Sequence, residues 1–403
     1  MRLTIERLGH LGDGIGPGPT FVPRALPGEV VEGTVSGGRI EAPSIVTPSP
    51  DRRRAPCPHY AACGGCALMH ASDDFVAAWK TGVVAGALAA HDLQTTLHPI
   101  QTSSDRSRRR ATLAGRRTKK GSVVGFHGRA SGALVDLQDC ALLLPALQAS
   151  LPTLRAVTEA GSSRKGELAL TVTATEGGVD LAVMGGKPMD ADLFGTLAAL
   201  TEAADLARLS WEGEVIAARR PAAQRFGPAV VTPPAGAFLQ ATCDGEAALL
   251  AAVRQAVGSA RRVADLFSGA GTFSLPLADR AEVHAAEALP EMIAALQAAA
   301  RATQGLRPVT TEVRDLFRRP LLPDEIDRFD AVVLDPPRAG AESQVREIVR
   351  SKLRVLAYVS CNPQTFARDA HILTDAGFVL NWVQPVDQFR WSTHVELAAA
   401  FSR

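Results

Sequence analysis

From about residue 231 onward the chain alternates short apolar runs with Ala-rich helical stretches. RRVADLF (261–267), EVHAAE (282–287), PVTTEVRD (308–315), FDAVVLDPP (329–337) and LRVLAYVS (353–360) read as successive buried strands. LPEMIAALQAAARA (289–302) and NPQTFARDAHILTDAG (362–377) read as helices between them. Buried strands separated by helices predict an α/β fold with a doubly wound parallel sheet, whose edge FVLNWVQPVD (378–387) and HVELAAAF (394–401) extend. The upstream pattern differs. Residues 1–45 are Gly-rich and strand-like, which predicts a small β-barrel of a kind used for oligonucleotide binding. The Pro-rich stretch PSIVTPSPDRRRAPCP (43–58) reads as a linker, and DDFVAAWKTGVVAGALAA (73–90) as a helix. Residues 108–230 alternate short strands and helices, with a hairpin in 167–186 turning near Glu176-Gly177-Gly178. The expected organisation is 1–48, a β-barrel; 49–230, a central α+β domain; and 231–403, the doubly wound domain.

Composition changes this picture little. A chain of 403 residues holds two or three domains, and 46% apolar with 21% charged residues excludes general disorder. No apolar stretch is long enough to cross a bilayer, and MRLTIERLGHLGDG has no signal-peptide core, so a cytoplasmic protein is expected. Net charge is only +1, but its distribution is uneven. DRSRRRATLAGRRTKK (105–120) carries eight Lys or Arg in sixteen residues, and Arg52, Arg53 and Arg54 precede the first cysteine. One such run is usually a solvated face. Two in the same half, beside an enzyme-like half, predict phosphate contacts.

The candidate chemistry gathers at strand ends. In YVSCNPQTFARD (358–369), Cys361 stands between a strand and a helix that Asn362 caps and Pro363 begins. A helix terminus there is expected to lower the thiol pKa; from this stretch alone, a cysteine filling core space is the simpler reading. DLFSGAGTF (265–273) is a strand, a Gly-x-Gly turn and a helix start, where glycines let backbone approach a ligand. Glu287 ends the next strand, where a carboxylate can hold a ribose, and Asp315 ends the third. Asp335 is fixed at the following strand end by Pro336 and Pro337. Ligands bind outside the carboxyl ends of strands in such sheets, so these residues share one face.

The other cysteines form a second pattern. Cys57, Cys63 and Cys66 make C-x5-C-x2-C, with Cys140 far downstream. Three close thiols and a distant one suit an iron–sulfur cluster. Four thiolates also suit tetrahedral zinc, for which His59 and His70 offer nitrogen ligands. Cys243 has no such company and reads as core.

Taken together, DLFSGAGTF, Glu287, DPPRAG, SCNPQTFARD, FLQ (238–240) and THVEL (393–397) resemble the S-adenosylmethionine-dependent RNA uracil-C5 methyltransferases. The N-terminal segment resembles a TRAM domain, and CPHYAACGGCALMH the family's iron–sulfur motif. The resemblance implies a class I methyltransferase domain that binds S-adenosyl-L-methionine through Gln240, Phe267, Gly269, Thr272, Glu287, Asp315 and Asp335. It implies a [4Fe-4S] cluster on Cys57, Cys63, Cys66 and Cys140. It makes Cys361 the nucleophile that adds to uracil C6, and Glu396 the base that removes the C5 proton. The implied partner is RNA, 23S rRNA ahead of tRNA, bound by a monomer. Thr242 stands where the family often has Asn, and Arg390 where it has Pro. Two alternatives remain, a non-catalytic iron–sulfur RNA-binding protein and a methyltransferase for cytosine C5 or a small molecule.

Overall fold

The apolar runs of the C-terminal half become one nine-stranded sheet in the computed structural model, which describes residues 1–403. Its order is Val309–Val313, Glu282–Glu287, Arg262–Leu266, Ala331–Leu334, Val355–Ser360, Glu396–Ser402 and Val379–Asp387, followed by Thr96–Leu97 and Gln101–Thr102 side by side on the edge. All neighbours run parallel except around Glu396–Ser402, which is antiparallel to both of its partners. The sheet is covered on both sides, which is why its central strands are apolar without alternation. One face packs on helices Glu342–Arg350, Pro363–Asp375 and Asp73–Ala89 through Val84, Leu88, Val345, Ile348, Phe366 and Leu373. The other packs on helix Cys243–Val257 through Leu249 and Val253.

This arrangement redraws one boundary. Residues 73–102 were expected in the central domain, yet they supply a helix and two strands to the C-terminal sheet. The cause is local: Val84, Ala87 and Leu88 form an apolar face that the larger core accommodates. The central unit is a seven-stranded sheet with helices Leu151–Gly161 and Ala191–Ala203 against it. The expected hairpin is there, Leu168–Thr175 paired with Gly178–Met184 and turning through Glu176-Gly177. Residues 1–47 form two three-stranded antiparallel sheets around Leu3, Ile5, Val22, Ala25, Val31 and Ile40. Strand Ser44–Thr47 closes one of them, so the stretch expected as a linker from 43 begins inside the β unit. No helix is long and apolar enough to cross a membrane.

Many of the basic residues are engaged by partners within the chain. Arg52 pairs with buried Glu29. Of the 105–120 run, Arg106 pairs with Asp139 and Arg116 with Glu167. Arg109 is buried against Glu246, and Arg110 donates to the carbonyls of Gly236 and Ala237. Arg108, Arg109 and Arg110 thus turn inward while Arg106 and Arg116 stay exposed in surface ion pairs, which narrows the phosphate-facing part of the run to its exposed members. Arg117, Lys119 and Lys120 are exposed and unpaired.

One buried ion pair fastens the inserted helix. Lys80 Nζ lies 2.6 Å from Asp387 Oδ1 and 3.1 Å from the Phe389 carbonyl, and both side chains are fully buried. Burial pushes the lysine down and the aspartate up, each opposed by the other's charge. Removing one partner strands a charge in low dielectric. Lys80→Met should therefore destabilise the protein by about 3–5 kcal/mol, read as a lowered denaturation midpoint. Lys80→Met combined with Asp387→Leu should regain most of that loss.

Candidate active site and cysteine cavity

Strand order reverses at Arg262–Leu266, with Glu282–Glu287 on one side and Ala331–Leu334 on the other. The crevice above such a switch point is where open α/β sheets bind ligands. A cavity of about 450 Å³ opens there, in the range of small-molecule sites. Gln240, Phe267, Gly269, Thr272, Glu287, Asp315, Asp335, Cys361 and Glu396 all line it.

The turn after the first strand passes through left-handed backbone at Phe267 (φ 65°), Gly269 (55°) and Gly271 (98°). Glycine takes such angles freely; Phe267 does not, and is held by its N–H bond to the Ala286 carbonyl and by its ring against Phe317, centroids 5.4 Å apart. Glu287 ties the turn to the next strand. Its Oε2 accepts from Gly269 N–H at 3.1 Å, and its Oε1 from Ala288 and Leu289 N–H at 2.8 and 3.1 Å. A carboxylate has about four acceptor sites, so capacity remains for a ligand hydroxyl. Asp315 Oδ1 accepts from Phe317 N–H at 3.0 Å, orienting the loop that carries this ring. Phe317 is a pocket residue that the sequence did not single out.

Carboxyl groups crowd the floor. Burial and the nearby Glu396, Asp265 and Glu287 push Asp335 well above the usual carboxylate range. Asp265 is fully buried, hydrogen-bonded by Ser274, and pushed up to about 7. Its Oδ1 and the Ser268 hydroxyl have no partner in the chain. An acidic, partly unsatisfied pocket suits a cationic, polar ligand such as a sulfonium-bearing nucleoside.

Cys361 follows strand Val355–Ser360 and precedes helix Pro363–Asp375, whose first turn is capped by Asn362 Oδ1 accepting from Gln364 N–H at 3.1 Å. The expected lowering of its pKa does not occur. Burial, then Glu396 and Asp335, push the thiol up to about 11, with Arg338 opposing. The half-charge of a helix end is outweighed by two carboxyls beside a desolvated sulfur. Glu396 is pushed up to about 7 by burial, with a bond from Gln388 pulling down and Asp387 pushing up. Gln388 is the residue that sequence reasoning missed. Its amide spans Gln240 and Glu396, and its only sequence signal is its place beside Asp387, shortly before THVEL. The two departures have local roles. Thr242 caps helix Cys243–Val257, accepting from Gly245 N–H at 3.1 Å, and Arg390 pairs with Asp73 at 2.7 Å, joining the inserted helix to this loop. Cys243 is exposed at that helix start, not core, because the first helical position turns its side chain outward.

A second cavity, about 370 Å³, is lined by Cys57, Cys63, Cys66 and Cys140. Burial raises the pKa of Cys63, Cys66 and Cys140, and neighbouring thiols add to the effect. The four sulfurs surround the space without three ligand groups converging on one point. Neither candidate zinc imidazole reaches it: His59 Nε2 accepts from Gln138 N–H, and His70 Nδ1 meets the Tyr60 hydroxyl. Arg108 also lines the cavity, 5.2 Å over the Phe389 ring, and has no carboxylate partner. Phe389, Ser392 and His394 form its far wall, so the loop before Glu396 borders both cavities.

Known proteins share this sequence and fold. The family model for tRNA (Uracil-5-)-methyltransferase matches residues 232–403. An uncharacterized RNA methyltransferase of Caulobacter vibrioides is 44% identical, covering 100% of this chain and 99% of its own. The 23S rRNA (uracil(1939)-C(5))-methyltransferase of Halomonas elongata is 33% identical over 98% of this chain and 88% of its own. The fold is shared with the Pyrococcus abyssi tRNA (uracil-54, C5)-methyltransferase solved with S-adenosyl-L-homocysteine, at a TM-score of 0.79 and 22% identity over the full length of both chains. The chain belongs to the S-adenosylmethionine-dependent RNA (uracil-C5) methyltransferase family.

Proposed function

We propose that this enzyme methylates C5 of a uridine in 23S rRNA through a covalent bond between Cys361 and uracil C6. The observation that carries the reading is that a half-buried thiol and a buried carboxyl of near-neutral pKa share one acidic pocket with the glycine turn and Glu287. Bound S-adenosylmethionine supplies an electrophilic methyl group. Glu287 and Asp315 are positioned for the nucleoside end, and the Asp335 side for the cationic end. Uracil C5 is a weak nucleophile, so the protein must first enrich it. With the positive charge of the bound methyl donor offsetting the surrounding carboxyls, the Cys361 thiol gives its proton to solvent at the open pocket and its thiolate adds to C6. The C5=C6 electron pair moves toward the C4 carbonyl as an enolate whose C5 takes the methyl, leaving S-adenosylhomocysteine. Glu396 then removes the C5 proton; the freed pair restores C5=C6 and expels the Cys361 thiolate. A carboxylate with a pKa of about 7 is well matched to that step. Phe238, 61% exposed at the pocket mouth, offers a ring on which an extruded base can stack.

The relative acting on 23S rRNA, matched over nearly the whole chain, supports rRNA as substrate. Transfer RNA is the second reading, supported by the name of the family model and by the shared fold. Residues 1–48 fit a TRAM-like RNA-binding unit, and Arg117, Lys119 and Lys120 are the cations of the basic run still free for phosphate. We assign the cysteine cavity to a [4Fe-4S] cluster. Sulfurs spread around a chamber suit a multi-atom cluster better than a single ion, and Arg108 supplies charge that an anionic cluster balances. Its role is to order the loop shared with the active site.

Two outcomes test these assignments. Cys361→Ala should abolish both methylation and any covalent enzyme–RNA species. Glu396→Gln should pass through attack and methyl transfer but stop at proton removal, leaving on a denaturing gel an adduct whose RNA already carries the methyl. Normal turnover by Glu396→Gln would remove it as the base. Anaerobically purified enzyme should be brown with about four irons per chain. Cys140→Ser should lose them as completely as Cys63→Ser; stoichiometric zinc without iron would overturn the cluster.

A further inference from the structure

Gln388 makes four hydrogen bonds whose polarity is fixed from one end. Its side-chain carbonyl accepts from the backbone N–H of Ala241 at 2.7 Å and of Thr242 at 3.4 Å. Backbone N–H groups only donate, so turning the amide round would set two donors against its NH2. Its Nε2 must therefore face the other side, where it donates to Gln240 Oε1 at 2.5 Å and to Glu396 Oε2. Gln388 is 2% exposed, so water cannot substitute for these partners. Each consequence concerns a pocket residue. With its carbonyl turned to Gln388, Gln240 has its amide N–H groups on the side left to face the pocket. With Oε2 turned to Gln388, Oε1 of Glu396 is the oxygen with no partner in the chain and the better placed to take up a proton.

We propose that Gln388 is a positioning residue for the base, reserving one oxygen of Glu396 for the C5 proton and fixing the donor face of Gln240. The proposal rests on the reading of Cys361 and Glu396 given above. It predicts a change in one step of the reaction rather than a general loss. The groups facing Glu396 are Asp335, Asp387 and Cys361, with Asp387 neutralised by Lys80. Gln388 is the hydrogen-bond donor among its neighbours, and its bond favours the ionised carboxylate. Losing that bond raises the carboxyl pKa above its present value of about 7. Glu396 acts as a base only when ionised, so the acid limb of the turnover profile must move to higher pH.

The test compares wild type with Gln388→Met and Gln388→Glu in the full-length enzyme, using rRNA or tRNA from a strain lacking the gene and saturating S-adenosylmethionine. Gln388→Met keeps the bulk and loses the bonds. Gln388→Glu is isosteric, keeps the acceptor for Ala241 and Thr242, and sets a second carboxyl against Glu396, so it guards against simple misfolding. Both should slow turnover by about 10–100-fold, less than the loss of a general base itself, which is about 10²–10⁴-fold. Both should shift the acid limb upward, Gln388→Glu the further, and accumulate a covalent adduct carrying the methyl. Turnover within twofold of wild type, or slower turnover with neither shift nor adduct, overturns the proposal. Cys361→Ala, assayed beside them, reports on the underlying reading: methylation at the wild-type rate there removes both that reading and this one.

Discussion

Everything in the active site depends on the concentration of carboxyl groups behind one thiol. Asp265, Asp335 and Glu396 lie at the carboxyl edge of a parallel sheet, in a space from which water is largely excluded, with Glu287 close by. Burial is the first cause that pushes all three up, neighbouring carboxyls add to it, and Glu396 and Asp335 add likewise to the burial that raises Cys361. A pocket of this kind favours a cation, and the Cys361 thiol in it is pushed up to about 11.

The second constraint is mechanical. Residues 387–396 connect three features that are distant in sequence. Asp387 anchors the segment to Lys80 on the inserted helix. Phe389, Ser392 and His394 wall the cysteine cavity, Glu396 lines the catalytic one, and Gln388 bonds to Glu396 from behind it. Arg109 and Arg110 add a further link, holding the carbonyls of Gln240, Gly236 and Ala237 from the central unit. The central unit thus sets the position of the loop that carries Phe238 and Gln240. A change at the cysteines has a short structural route to the base, through one loop with a buried ion pair at its root.

Much of this was legible in the sequence, and for identifiable reasons. Buried parallel strands are apolar throughout, so 262–266, 331–334 and 355–360 announce themselves, and strand ends reveal which polar residues share the ligand face. Asn362-Pro363 marked the helix start after Cys361. Quantities set by tertiary proximity were not legible. The local rule for a thiol at a helix end gave the wrong direction for Cys361, because Glu396 and Asp335 come from other strands. The 105–120 run read as a surface patch because sequence shows charge but not which way a guanidinium turns. Residues 73–102 were placed with their chain neighbours, although their apolar face belongs to the later sheet. Gln388 carries no pattern; only a folded chain brings it between Gln240 and Glu396.

The central claim is that catalysis passes through a bond from Cys361 to C6 of a uracil whose C5 substituent must then be removed by base. The most direct measurement is mass spectrometry of the wild-type enzyme incubated with S-adenosylmethionine and RNA containing 5-fluorouridine in place of uridine. Fluorine cannot leave C5 as a cation, so Glu396 finds no proton to remove and the reaction stops after methyl transfer. The account predicts a digest peptide containing Cys361 joined to a nucleotide that carries both fluorine and the new methyl at C5. RNA recovered free of protein, or attached through any residue other than Cys361, would contradict it.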